Sequence, residues 1–175
     1  MLASRRAFFG IRHTRQGALI RPPWALPEAA FVEACTRCSA CVEVCPTGLL
    51  VKGDGGYPEA AFNPARASQI CILCGDCAQR CPEPALHYLA ESRPWSVQAV
   101  FAEACLAQRD VVCRTCGESC PASAIRFPPR LGGVARPVLD EAACTGCGAC
   151  LADCPTAAIQ MAPTLSTPSA LRGAA

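Results

Sequence analysis

The chain has 175 residues and 16 cysteines, but only six Phe, two Trp and two Tyr. It can form one medium or two small domains, with too little bulk for a self-sufficient hydrophobic core. A formal charge of +2 gives no basis for nucleic-acid binding. No apolar run approaches the ~18 residues that cross a bilayer. A core this poor in bulk needs cross-links or metals to stay folded, and the cysteine count alone does not choose between them.

Residues 1–30 read as a basic arm, because Arg5, Arg6, Arg12, Arg15 and Arg21 all precede the first acid, Glu28. Ser4-Arg5-Arg6-Ala7-Phe8-Phe9 resembles a twin-arginine export signal. An apolar stretch of about 7–15 residues should follow such a signal, yet Gly10 to Gln16 is polar and charged. The expectation is a retained cytoplasmic segment. Within it, Arg21-Pro22-Pro23-Trp24 should be stiff and extended.

The rest of the chain is a fourfold repeat. Unit one is Cys35-x2-Cys38-x2-Cys41-x3-Cys45-Pro46, unit two runs identically from Cys71 through Cys74 and Cys77 to Cys81-Pro82, and unit four from Cys144 through Cys147 and Cys150 to Cys154-Pro155. Unit three places seven residues between Cys105 and Cys113 before Cys116 and Cys120-Pro121. Short strands are expected after the Cys-Pro corners, over residues 49–52, 86–89, 125–127 and 159–161, with 137–140 as a partner strand. Short helices should follow some corners or fill the segments between units, as over residues 94–107. A domain boundary near residues 91–94 gives one domain over 31–92 and another over 93–162. The polar tail, 163–175, should be disordered.

The spacing carries the chemistry. Three thiolates at x2 steps can wrap one cubane, and a fourth, displaced by x3 and turned at proline, reaches the neighbouring cluster. On that rule cluster one takes Cys35, Cys38, Cys41 and Cys81, and cluster two takes Cys71, Cys74, Cys77 and Cys45. Cluster four takes Cys144, Cys147, Cys150 and Cys120. Cluster three takes Cys105, Cys113, Cys116 and Cys154 if its lengthened loop still delivers Cys105; otherwise that site is labile or a [3Fe–4S] centre. Zinc and a disulfide framework are the alternatives. Zinc favours two separated pairs of ligands, and cysteines in close triplets without a secretory signal are unlike a disulfide scaffold.

The fold class expected is α+β: two tandem bacterial-ferredoxin-like units, each with two [4Fe–4S] clusters, short strands and helices, and an irregular N-terminal arm. Four clusters with sixteen thiolates would carry the net charge to about −6. Fifteen Arg against the single Lys52 suit a protein partner better than bulk charge attraction. His13 and His87 stand alone, and Trp24, Tyr57 and Trp95 read as packing residues. Gly75, Gly117, Gly146 and Gly148 are expected to serve turns in the cluster loops and to direct backbone N–H groups at sulfur. There is no nucleophile–base pair, phosphate loop or dinucleotide motif, so an enzyme is not expected.

Ser4-Arg5-Arg6, Arg21-Pro22-Pro23-Trp24, Cys35-Thr36-Arg37-Cys38, Gly55-Gly56-Tyr57-Pro58 and the long-looped unit beginning Ala104-Cys105-Leu106-Ala107 together resemble the NapF family. These are ferredoxin-type accessory proteins of periplasmic nitrate reductase systems. The resemblance implies a cytoplasmic protein that binds the precursor of the molybdenum-containing catalytic subunit before export and assists its maturation, by cluster assembly or electron supply. Other redox proteins are further candidate partners. The second reading is an electron-transfer polyferredoxin with no maturation role.

Overall fold

In the computed structural model, residues 19–66, 68–89 and 93–164 are described. The export-like motif, His13, the Glu91–Ser92 part of the expected boundary and the tail beyond Thr164 lie outside them. Pro27 leads into α1 (Glu28–Ala34), whose first turn carries Glu28 near the positive end of the helix and whose inner face buries Phe31 completely.

Four more helical turns follow one rule. α2 (Ala40–Glu43), α3 (Asp76–Gln79), α4 (Thr115–Glu118) and α5 (Ala149–Ala152) each occupy the stretch just before the last cysteine of a unit. They precede the Cys-Pro corners rather than follow them, contrary to the sequence expectation. Proline disfavours helix in the residue before it, so each turn must stop there. The fourth residue after each final cysteine (Leu49, Ala85, Ala124, Ala158) is then almost wholly buried.

The fifth residue opens a pairing in every unit. β1 (Leu50–Lys52) pairs antiparallel with β2 (Pro58–Ala60), and β4 (Ile125–Arg126) with β5 (Val138–Leu139). The strand expected over residues 86–89 is reduced to an isolated bridge, Leu86 to Ala25. Its partner segment holds Pro22, Pro23 and Pro27, which have no N–H to extend a ladder. In the second half the equivalent pairing is complete: β3 (Val97–Phe101) lies antiparallel to β6 (Ile159–Pro163), with Val97 opposite Pro163 and Phe101 opposite Ile159. The helix expected over 94–107 is therefore a strand, with a 3-10 turn, Leu106–Arg109, beyond it.

Residues 20–27 form a strap rather than a free arm. Ala60 N–H donates to Ile20 O, Leu26 N–H to Ala85 O, His87 N–H to Trp24 O, and Trp24 N–H to Pro94 O. The strap thus touches both halves. One core cluster (Phe31, Leu50, Ala78, Ala85 and Leu86) belongs to the first half. The other joins Ile20 and Leu49 to Trp95, Val97, Ile125, Leu151, Ile159 and Met161 of the second.

Candidate metal centres

All sixteen cysteines have free thiols, so no disulfide framework is present. Their placement follows from the corners and turns just described. In the first half, burial pushes the Cys41 thiol up to about 11, with nearby Cys81, Cys35 and Cys38 adding to the shift. A cavity beside it is lined by Cys45, Cys71, Cys74 and Cys77, together with Trp24 and Gly75. In the second half one cavity is lined by Cys105, Cys113, Cys116 and Cys154, and another by Cys120, Cys144, Cys147 and Cys150.

The lengthened loop of unit three explains where Cys105 lies. Its 3-10 turn buries Ala107 and closes with Asp110 in the left-handed region at φ 59°. Val111 N–H donates back to Leu106 O. The extra residues are thereby absorbed locally, and Cys105 returns to the cavity edge.

The four sets are contiguous. α2, carrying Cys41, packs against α3, carrying Cys77, and α4, carrying Cys116, packs against α5, carrying Cys150. Between the halves, Cys71 N–H donates to Cys147 O over 2.8 Å. Phe62 seats against Gly148 and packs at 5.5 Å, tilted by 54°, on Trp95, whose Nε1 donates to Thr145 O. Arg93 clamps the same loop through the carbonyls of Glu141 and Cys144. In spatial order the sets run one, two, four, three.

Electrostatics show what the cavities need. Burial is the largest cause in every raised thiol: Cys71 and Cys116 rise to about 11, and Cys77 and Cys150 to about 12. Neighbouring thiols add to each, since like charges crowded together resist ionisation. Cys45 goes the other way. Burial raises it, but the Thr47 hydroxyl and the backbone N–H groups of Leu50, Thr47 and Leu49 outweigh that cost. At the equivalent corners Ala124 N–H donates to Cys120 Sγ and Ala158 N–H to Cys154 Sγ, both at 3.3 Å.

These N–H bonds to cysteine sulfur come from the Cys-Pro corners. Gly75, Gly146 and Gly148 do have positive φ. Gly117 does not; there a Cβ would lie 2.8 Å from Phe127 Cε2, so close approach is what requires glycine. The hydroxyls of Thr47, Thr115 and Thr156, each two residues after a cysteine and 3.5–3.8 Å from its sulfur, were missed. Their spacing was the available signal.

Among the described residues no three His, Cys, Asp or Glu side chains converge tightly enough to hold a single metal ion. Twelve of the cysteines instead stand around three cavities, four to each, while Cys35, Cys38 and Cys81 gather near Cys41. An all-thiolate donor set with backbone N–H groups aimed at sulfur fits iron–sulfur clusters.

The comparisons with known proteins agree. Residues 34–86 match a 4Fe-4S dicluster domain family, and residues 111–158 match another of the same description. Fold and cysteines together define a ferredoxin-type iron–sulfur protein with two tandem 4Fe-4S dicluster domains. The chain is 43% identical over 150 residues to the ferredoxin-type protein NapF of Escherichia coli (strain K12), covering 86% of this chain and 88% of that one. It is 45% identical over 132 residues to the ferredoxin-type protein NapF of Haemophilus influenzae, covering 75% and 72%. The methylamine utilization ferredoxin-type protein MauM of Methylophilus methylotrophus is 32% identical, covering 83% and 70%. The chain belongs to the NapF family of ferredoxin-type proteins. Among the described residues, no helix is long and apolar enough to cross a membrane.

Proposed function

We propose that the chain holds four [4Fe–4S] clusters in two domains, over residues 31–92 and 93–162. Cys35, Cys38, Cys41 and Cys81 hold the first cluster, and Cys45, Cys71, Cys74 and Cys77 the second. Cys105, Cys113, Cys116 and Cys154 hold the third, and Cys120, Cys144, Cys147 and Cys150 the fourth. With these it acts in the cytoplasm on the precursor of the molybdenum-containing catalytic subunit of a periplasmic nitrate reductase, assisting maturation before export. It serves there by cluster assembly or electron supply and is not itself an enzyme.

The observation that carries this reading is the gathering of the cysteines into contiguous sets, with the Cys71–Cys147 bond joining the halves. Bound clusters supply one-electron storage. The protein supplies thiolates, excludes water with Leu49, Ile125 and Ile159, and directs N–H groups at sulfur. The same contiguity favours the second reading, a polyferredoxin that relays electrons to a redox enzyme without a maturation role.

Anaerobic capture of the reductase precursor separates the two readings. Cluster-loaded protein, cluster-free protein and a chain lacking residues 1–18 would be compared, with iron followed in the captured subunit. The cut stops at residue 18 because a longer one would remove the strap. Capture together with iron gain or activation of the precursor is the expected result. Loaded protein that ignores the precursor yet cycles electrons with a redox partner would establish the relay instead.

A further inference from the structure

The Arg21-Pro22-Pro23-Trp24 motif is not accounted for by metal ligation, yet its tryptophan sits at a cluster site. Trp24 lines the cavity of Cys45, Cys71, Cys74 and Cys77. Its ring meets Tyr88 edge-on at 4.9 Å. Tyr88 in turn covers Gly75, where a Cβ would lie 2.5 Å from Tyr88 Cε2. The indole Nε1 is buried and has no hydrogen-bond partner within the protein.

A buried donor left unpaired costs roughly 1–3 kcal/mol. Among the described residues only one other buried side-chain N or O atom lacks a partner: Gln98 Oε1 on β3, which is an acceptor. Trp95 provides the contrast, since its Nε1 donates to Thr145 O at 2.9 Å. The Trp24 backbone is fixed from two sides, by donation to Pro94 O and by His87 N–H donating to Trp24 O. The Trp24 backbone is therefore held in place with Tyr88 edge-on to the ring. Trp24 also lines a second cavity, with His87, Pro94 and Trp95, but only the first is walled by four cysteines, whose occupied site would offer the indole an acceptor.

We propose that Trp24 Nε1–H donates a hydrogen bond to a sulfur of the cluster held by Cys45, Cys71, Cys74 and Cys77, and thereby favours that cluster's reduction. This rests on the ligand sets proposed above. One-electron reduction adds a negative charge to the cluster, and a donor at sulfur stabilises the more negative form. Trp24 is thus a tuning residue that also locks the strap to the occupied site.

The test uses the full-length, cluster-loaded chain in electrochemical titrations followed by electron paramagnetic resonance. Trp24→Phe keeps an aromatic ring at this position and removes the donor. It should make reduction of one cluster roughly tenfold less favourable, a shift of about 59 mV to lower potential for a one-electron couple. Trp95→Phe, whose donor already has a partner, should leave that wave in place. Cys74→Ser assigns the wave; if it alters none, the ligand reading fails independently of Trp24. A Trp24→Phe chain with full iron and an unmoved wave would overturn the hydrogen bond alone. Should that variant not retain clusters, Trp95→Phe protein labelled with 15N in its remaining indole gives the answer without altering Trp24. Hyperfine coupling between that nitrogen and a reduced cluster is expected, and its absence from all reduced clusters would overturn the proposal.

Discussion

Cys71 N–H donates to Cys147 O over 2.8 Å, which joins the second cysteine loop to the fourth. Beside this bond, Phe62 of the first half rests on Gly148 of the second. The seam between the halves therefore runs through the cysteine loops themselves.

Gly48 and Gly148 make a matched pair for testing that seam. Both have positive φ, at 64° and 85°, but a Cβ on Gly48 meets nothing within 4 Å, whereas one on Gly148 would lie 2.5 Å from Phe62 Cε1. Gly48→Ala should cost about 1–2 kcal/mol from backbone strain alone. Gly148→Ala should cost a further ~1–3 kcal/mol, because ring and loop must separate. Thermal unfolding of cluster-loaded protein checks the order, at about 2–4 °C per kcal/mol for a chain of this size. Equal midpoints would show that Phe62 yields freely.

Cys105→Ser should change one site only. Iron should fall by about one part in sixteen where a [3Fe–4S] centre replaces the third cluster, and by about a quarter where the site empties. Cys38→Ser should act on the first cluster and leave the third unchanged. Metal analysis with electron paramagnetic resonance reads both. An unaltered iron content in Cys105→Ser would remove Cys105 from the ligand set.

Alkaline pH should destabilise the metal-free chain. Burial, aided by neighbouring thiols, lifts Cys41, Cys71 and Cys116 from an ordinary value of 9.0 to about 11, and Cys77 and Cys150 to about 12. The folded state thus holds these protons more tightly than the unfolded state. Stability is fully present below about pH 9 and declines as pH rises through 11–12. The unfolding midpoint of the cluster-free chain should fall between about pH 8 and pH 11, while cluster uptake, which must expel thiol protons, should strengthen.

Arg21 should matter more than its ion pair. Its guanidinium donates to both Glu28 carboxylate oxygens, at 2.9 and 2.6 Å, and lies over Phe31 at 5.0 Å and Tyr57 at 5.3 Å. Glu28 is about half exposed, so Glu28→Gln should cost less than about 1 kcal/mol. Arg21→Ala also loses the aromatic contacts and should cost roughly 1–2 kcal/mol, with Arg21→Lys between the two. Thermal unfolding of the three variants gives the ranking. The Glu28 carboxyl is held below its usual 4.5 mainly by the Arg21 hydrogen bond. Its small contribution is thus present above about pH 4.5 and fades as pH falls through the lowered value.

The parts legible in the sequence were those fixed by neighbours along the chain. The cysteine runs and the Cys-Pro corners follow from spacing over a few residues. What was missed depends on distant segments. Val97, Ala99 and Phe101 alternate as a strand should, but Trp95 and the apolar residues around it also fit a helix, and only β6 decides between them. Residues 86–89 read as a strand because their own pattern allows one; the shortfall comes from prolines in the strap. Glu59 ends up buried in β2, a place no polarity pattern suggests. Arg21 counted as one charge of a basic arm, although its fork is used within the fold. Trp24 read as packing because its unpartnered nitrogen is visible only in three dimensions.

The pairing of β3 with β6 sets Val97 opposite Pro163, and the Ala25–Leu86 bridge does the same for the first half on a smaller scale. Each half therefore enters and leaves the polypeptide at nearly one point. Copying such a segment in tandem, or moving it into another gene, leaves the host's connections almost undisturbed, because entry and exit already lie side by side. The loop after Cys105, which lies between those points, is longer than its counterparts and folds its extra residues back on itself. Tandem repetition of such halves is thereby a consequence that the strand pairing permits at little structural cost.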